Sequence, residues 1–273
     1  MKKEILLPAV AWLGGIAGFF LRRWELAAAY DPQLHLMRSS PAAWLLYTLS
    51  GALLVLFVLA CRGMGRQTRT PQQWLYAPSG SYIMLVVCAG FVLMASGLAG
   101  LWEQSGLYAK DKMRLLTHAL CLLGGVTVLM AGRSVYRGRW TRNTPVLFMG
   151  PSFCALIWLV VSYQANARQP ETRLFAWQML SGVAVVLALY GIVTLAMGRG
   201  GPGRTCLFSL AGISLSLITL ADGNPLSFVL LYLFALLYLT AQSWMLLRAA
   251  SDRPWPERMP PGAEEETQTQ TEE

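Results

Sequence analysis

Between Ile5 and Leu247 every Asp and Glu of this chain falls in alternate gaps between eight stretches of about sixteen or more mostly apolar residues. A helix rises about 1.5 Å per residue, so each stretch crosses most or all of a hydrocarbon core of roughly 30 Å. Charged residues make up 13% of the 273, about half the share of a soluble domain. No segment between the stretches is long enough for a separate water-soluble domain.

The spans are expected at Ile5 to Leu21, Ala42 to Cys61, Ser81 to Leu101, Leu115 to Gly132, Val146 to Tyr163, Leu174 to Ala196, Cys206 to Ala221 and Phe228 to Leu247. In lipid each segment must satisfy its own backbone hydrogen bonds, and none shows the alternating polarity of a barrel strand. The fold class is therefore all-α, a polytopic transmembrane helix bundle of about eight spans occupying residues 1–248. Residues 249–273 turn to Pro, Glu, Thr and Gln, a composition unable to bury enough apolar surface to order itself, and read as a disordered acidic tail. Trp24, Trp44, Trp74, Trp102, Trp140, Trp177 and Trp244 lie mostly near span ends, where an amphipathic ring suits the headgroup level. Trp12 and Trp158 fall mid-span and are expected to pack between helices.

Orientation follows from the gaps. The second, fourth and sixth hold Arg62, Arg66, Arg69, Arg133, Arg137, Arg139, Arg142, Arg199 and Arg204 without an acid. The odd gaps hold Arg22, Arg23, Arg38, Lys110, Lys112, Arg114, Arg168 and Arg173, together with Glu25, Asp31, Glu103, Asp111, Glu171 and Asp222. Lys and Arg set topology, and by that count the two sides nearly tie. Lys2, Lys3, Arg248, Arg253 and Arg258 join the acid-free side when the span number is even, which places both termini in the cytoplasm. Arg22 and Arg23 on the opposite side are the main objection. Lys2, Lys3, an apolar stretch and Ala27 to Ala29 also follow the outline of a cleaved signal peptide. The apolar stretch exceeds the usual length and Arg22, Arg23 and Glu25 interrupt the approach to the small residues, so a retained helix is expected. Tyr30-Asp31-Pro32 suggests a turn, and the first gap should form an ordered cap over the helix ends.

Cys61, Cys88, Cys121, Cys154 and Cys206 lie in or beside spans without a Cys-x-x-Cys spacing, so they read as buried small residues rather than a disulfide framework or zinc site. The net charge of +8, carried partly by the acid-free arginines, fits attraction to a bilayer with anionic headgroups. Nucleic acid is not an expected partner, since no basic folded surface is available.

Ionisable groups at membrane depth mark candidate sites. His118 is the only histidine within a span, and Asp111, Arg114, His118 and Cys121 fall along one face of a helix beginning near Asp111. A carboxylate, a guanidinium and an imidazole in one stripe can relay protons or bind an anion; the plainer reading is an interfacial histidine bonded to a neighbouring helix. Asp222 closes the seventh span in Asp222-Gly223-Asn224-Pro225, a tight-turn sequence, and becomes a cation or proton ligand only if the helix runs on. Gly150-Pro151 interrupts the fifth span and frees carbonyls of the kind that line sites in broken-helix transporters, or forms a simple kink. With these features the expected pathway residues are His118, Asp222, Arg114, Asp111 and Pro151, with His118 against a cavity shared with the fifth or seventh helix, within reach of Asp222 or the carbonyls freed by Pro151. Gly14 and Gly18, Ser96 and Gly100, and Ser209, Gly212 and Ser216 let helices approach closely, chiefly within the chain and secondarily in a homo-oligomer.

Gly198 to Thr205 has the outline of a phosphate loop with Arg in place of Lys, but it joins two membrane helices rather than a strand and a helix. No zincin motif, nucleophile elbow or cluster of carboxylates occurs within the spans, so no catalytic residue, metal or cofactor is called for. Leu49-Ser50-Gly51 with Val55-Leu56 matches Leu180-Ser181-Gly182 with Val186-Leu187, too short a match in apolar sequence to establish a four-plus-four repeat.

The run Gly14 to Ala27, with Tyr163 to Pro170 and Leu220 to Gly223, resembles a group of uncharacterised multi-span bacterial membrane proteins. The resemblance in layout covers most of the chain and implies a bacterial cytoplasmic membrane; it carries no activity and no site. Two functional readings stand: a small-solute or ion transporter, and a non-catalytic scaffold or sensor that engages partners through basic cytoplasmic loops and the acidic tail. An enzyme comes third for want of converging acids and bases.

Overall fold

Ser40 and Pro41 show how local chemistry starts a span: the Ser40 hydroxyl accepts the Ala43 amide, and proline takes the first helical position, where its missing N–H is no loss. The structure is a computed structural model of the chain, and it describes residues 3–31, 36–37, 40–64, 70–105, 111–140, 143–167 and 172–251.

The helices are α1 (Lys3–Ala29), α2 (Pro41–Cys61), α3 (Pro71–Trp74), α4 (Gly80–Ser105), α5 (Lys112–Arg137), α6 (Thr144–Leu147), α7 (Met149–Asn166), α8 (Ala176–Ala196), α9 (Pro202–Thr219) and α10 (Leu226–Ala250). Among the described residues eight helical segments are long and apolar enough to cross a membrane, α6 and α7 counting as one. Strands β1 (Tyr30–Asp31) and β2 (Leu36–Met37) form one antiparallel ladder after α1, Tyr30 opposite Met37. Residues 252–273 of the acidic tail and residues 32–35 and 38–39 of the first gap lie outside the described residues.

Several spans outrun their apolar stretches. Hydropathy marks only the portion at hydrocarbon depth, whereas a helix continues while its backbone bonds and side chains find partners. Thus Arg22, Arg23, Trp24 and Glu25, expected in the first gap, belong to α1, and Glu103 belongs to α4. The fifth span is interrupted at Phe148, ahead of Gly150-Pro151; the Ser152 hydroxyl donates to the Phe148 carbonyl at 3.2 Å, and Pro151 is buried.

Six helices close a ring through neighbour contacts in the order α4, α10, α9, α8, α7, α5. Outside it, α1 leans on α9 and α10, and α2 leans on α1 and α9. In consequence 72% of the α9 span is buried but only 17% of the α2 span. Trp158 of α7 and Tyr232 of α10 meet inside the ring, edge to face, with centroids 4.9 Å apart. Phe234 stacks on Tyr238, and the Tyr82 hydroxyl accepts from Gln242 at 3.2 Å. At one end α3 touches α8 and α10, burying Trp74 and Leu75.

Small residues set the seams. Added Cβ atoms on Gly15 and Gly18 would meet Leu217 and Ile218 of α9, and one on Gly14 would meet Leu53 of α2. Trp12 donates to Thr240 of α10 at 2.9 Å, the inter-helix role expected of it. The Cys121 and Cys154 sulfurs lie 3.2 Å apart between α5 and α7, as free thiols.

Candidate functional site

Two polar centres occupy the end that carries the acidic gaps, here the odd end. The first is built on α1, where the three-residue spacing of Arg22 and Glu25 puts both on one face. Arg22 is fully buried. Its Nε donates to Asp222 Oδ1 at 2.7 Å, its Nη1 to Glu25 Oε2 at 2.9 Å, and its Nη2 to the carbonyls of Leu174 at 3.0 Å and Arg173 at 3.4 Å. Asp222 is placed by a 3-10 turn, Leu220–Asp222, ending at Gly223 with φ +68, a left-handed conformation that glycine adopts without Cβ strain. Asn224 then donates to the Thr219 carbonyl at 3.0 Å and holds the turn closed. Asp222 is thus both turn residue and ion-pair partner. Its Oδ2 is buried without a hydrogen-bond partner.

The second centre joins α4 to α10. Glu103 accepts the Ser227 amide at 3.1 Å and the Ser227 hydroxyl at 2.6 Å, setting a carboxylate on the positive end of the α10 dipole. Ser96 donates to the Ser227 carbonyl at 2.7 Å.

The expected pathway residues are divided between places. Asp111 caps α5 by accepting the Met113 amide at 3.0 Å, and its other oxygen lies 3.6 Å from Arg114 Nε on the protein surface. His118 is buried in the α4–α5 seam, its imidazole against the bare backbone of Gly100, with Nδ1 unpartnered. Glu103 and Arg114 are the charges that act on it. Asp222 bonds instead to Arg22 between α1 and α9, and Pro151 lies on α7 beside Gly150, which packs on Thr127 of α5. His118, Asp222 and Pro151, expected around a shared cavity, do not line the walls of the four cavities described in this structure.

The largest of those cavities is on the outside of the ring. A cleft of about 360 Å³ opens between α2 and α8 with α9 as its floor, lined by Leu54, Phe57, Leu180, Leu187, Phe208 and Leu215 among others. Tyr47 of α2 stacks on Trp177 of α8 at 5.7 Å and closes its odd end. A cavity of about 300 Å³ shares Leu187 and Phe208 with the cleft and adds Thr194, Arg199 and Arg204. A third, of about 280 Å³, shares Arg204 and Gly201 with that one and adds Arg62.

No protein-family model, curated protein or solved structure matches the chain. Eight membrane-length apolar helical segments among the described residues make it a multi-pass integral membrane protein.

Arg22, Glu25 and Glu103 escaped the sequence reading because each was assigned to a gap. One signal was legible: an arginine pair on the acid-bearing side, against the usual charge rule, three residues before a glutamate. Among the described residues no group of three His, Cys, Asp or Glu is placed to hold a metal ion.

Proposed function

We propose that the protein is a non-conducting membrane scaffold or sensor that takes a ligand laterally from the bilayer. One observation carries this reading: Trp158 and Tyr232 fill the interior of the helix ring, where a transporter of this architecture would need a passage, while the open apolar cleft faces outward between α2 and α8. The odd-end charges support it, since Arg22 is buried and bonded to two carboxylates and two carbonyls rather than presented to a solute. The transporter reading retains the unpartnered Oδ2 of Asp222 and Nδ1 of His118.

Flux separates the two. Reconstituted in vesicles, the protein should leave proton and sodium leakage at the level of empty vesicles. A bimane label at Gly51→Cys, in a chain also carrying Cys88→Ser, should be quenched strongly by chain-brominated lipid, because Gly51 lines the cleft. Proton flux above background that Asp222→Asn or His118→Leu abolishes would overturn the proposal.

The same reading takes the end that carries the even gaps, where α1 begins and α10 finishes, as cytoplasmic in a bacterial membrane, on the arginine distribution. The Ser251 hydroxyl donates to Glu4 at 3.3 Å, so the two chain ends leave the bundle together. A reporter fused after Glu273 should be active only in the cytoplasm; an Arg139→Cys variant labelled by an impermeant external thiol reagent would reverse the assignment.

A further inference from the structure

The cleft between α2 and α8 does not end in apolar surface. Toward the other end of α9 it borders, at Leu187 and Phe208, the cavity that holds Arg199 and Arg204, and that cavity in turn borders, at Gly201 and Arg204, the one that holds Arg62. All three arginines are solvent-exposed, and none makes an ion pair or side-chain hydrogen bond among the described residues. The Thr194 and Thr205 side chains line the same cavity. Gly201 starts α9 without a side-chain cap, so the amides of Gly203 and Arg204 in the first turn also face this end, and a Cβ on Gly201 would meet nothing within 4 Å.

An apolar trough with a cationic, hydroxyl-bearing mouth at one end matches an amphiphile with an anionic head. From Arg204 to Ile218 is fourteen residues along the α9 floor, about 21 Å of helix. A chain laid there reaches beyond the mid-plane of a core of roughly 30 Å while its head stays at the interface. The occupant has a short polar head and a long hydrocarbon chain, which a soluble metabolite lacks.

We infer that this groove holds one anionic phospholipid, its phosphate against Arg62, Arg199 and Arg204 and one hydrocarbon chain along α9 between α2 and α8. The inference rests on the lateral-ligand reading above and names its ligand. It also gives the Gly198 to Thr205 loop a role: its arginines and glycines form a headgroup seat on a membrane helix.

The test is native mass spectrometry of the full chain, titrated in detergent with phosphatidylglycerol or with phosphatidylcholine of identical chains. Phosphatidylglycerol should bind roughly thirty- to a hundred-and-fiftyfold more tightly, the range set by two or three arginines at the headgroup level at about 1 kcal/mol each. The variant Arg62→Gln/Arg199→Gln/Arg204→Gln should bind both lipids alike and weakly. Gly51→Trp, at a site where a Cβ meets nothing within 4 Å, and Leu54→Trp, at an exposed wall position, should each weaken both lipids and leave the protein monodisperse. Equal binding of the two lipids, unchanged in the arginine variant but lost in the tryptophan variants, would refute the headgroup assignment and leave the lateral-ligand reading intact. No binding of either lipid, or binding indifferent to all the variants, would refute both. Displacement of phosphatidylglycerol by equimolar inorganic phosphate would refute the lipid as occupant.

Discussion

Arg22→Gln should destabilise the folded protein by about 3–5 kcal/mol, the usual effect of removing one partner of a buried ion pair. The loss comes from the carboxylates left behind. Asp222 and Glu25 would both stay out of water without their guanidinium, and the Leu174 carbonyl would lose its donor. Unfolding in mixed micelles, followed by helicity, gives the measurement. The triple variant Arg22→Met/Glu25→Gln/Asp222→Asn should recover most of the loss, since neutralising the whole cluster leaves no uncompensated charge. Arg22→Gln as stable as the parent would mean that the cluster is hydrated and open, and with it the case for a sealed odd end would fail.

A second large effect is expected at Gly100. A methyl group there would land on the imidazole of His118, and one at Gly97 would press on the His118 carbonyl, so the α4–α5 seam is shaped around this histidine. Gly100→Ala should cost about 1–3 kcal/mol, the range for overfilling a packed interior. Adding His118→Ala should return most of it, because the second change vacates the volume the first one occupies. Strict additivity of the two substitutions would show that the imidazole does not lie on Gly100.

The membrane helices were legible in this sequence because their signal is one-dimensional: length and polarity decide whether a segment can cross lipid. The helical ends were less legible. Arg22, Glu25 and Glu103 look like gap residues by hydropathy, yet a charged side chain stays in a helix when a partner from another helix meets it, and that partner is invisible along the chain. The Asp111, Arg114 and His118 stripe shows the converse. Its helical register was readable, and Asp111 caps α5, but the register does not say which neighbour the face meets. His118 meets a glycine of α4 rather than Asp222, which a stripe on one helix cannot reveal. The cleft was hidden for a related reason. Leu54, Leu180 and Phe208 are ordinary span residues, and only the packing of α2 on α1 and α9 makes them the walls of one space. At its mouth, the arginine loop has the spacing of a phosphate loop, which belongs to a strand-to-helix turn, so its sequence outline does not point to a place between two membrane helices.

The bond between Arg22 and Asp222 joins residues 200 positions apart. At about 5–20 residues per second, translation takes about 10–40 s to travel between them. Through that interval Glu25, made three residues after Arg22, is the only one of its two carboxylate partners that exists. The first helix therefore waits, its arginine provisionally neutralised from within its own turn, until the last two spans arrive. A ribosome stalled anywhere short of Asp222 leaves a chain whose first helix holds its arginine on Glu25 alone, without the bond that ties that helix to the far end of the sequence.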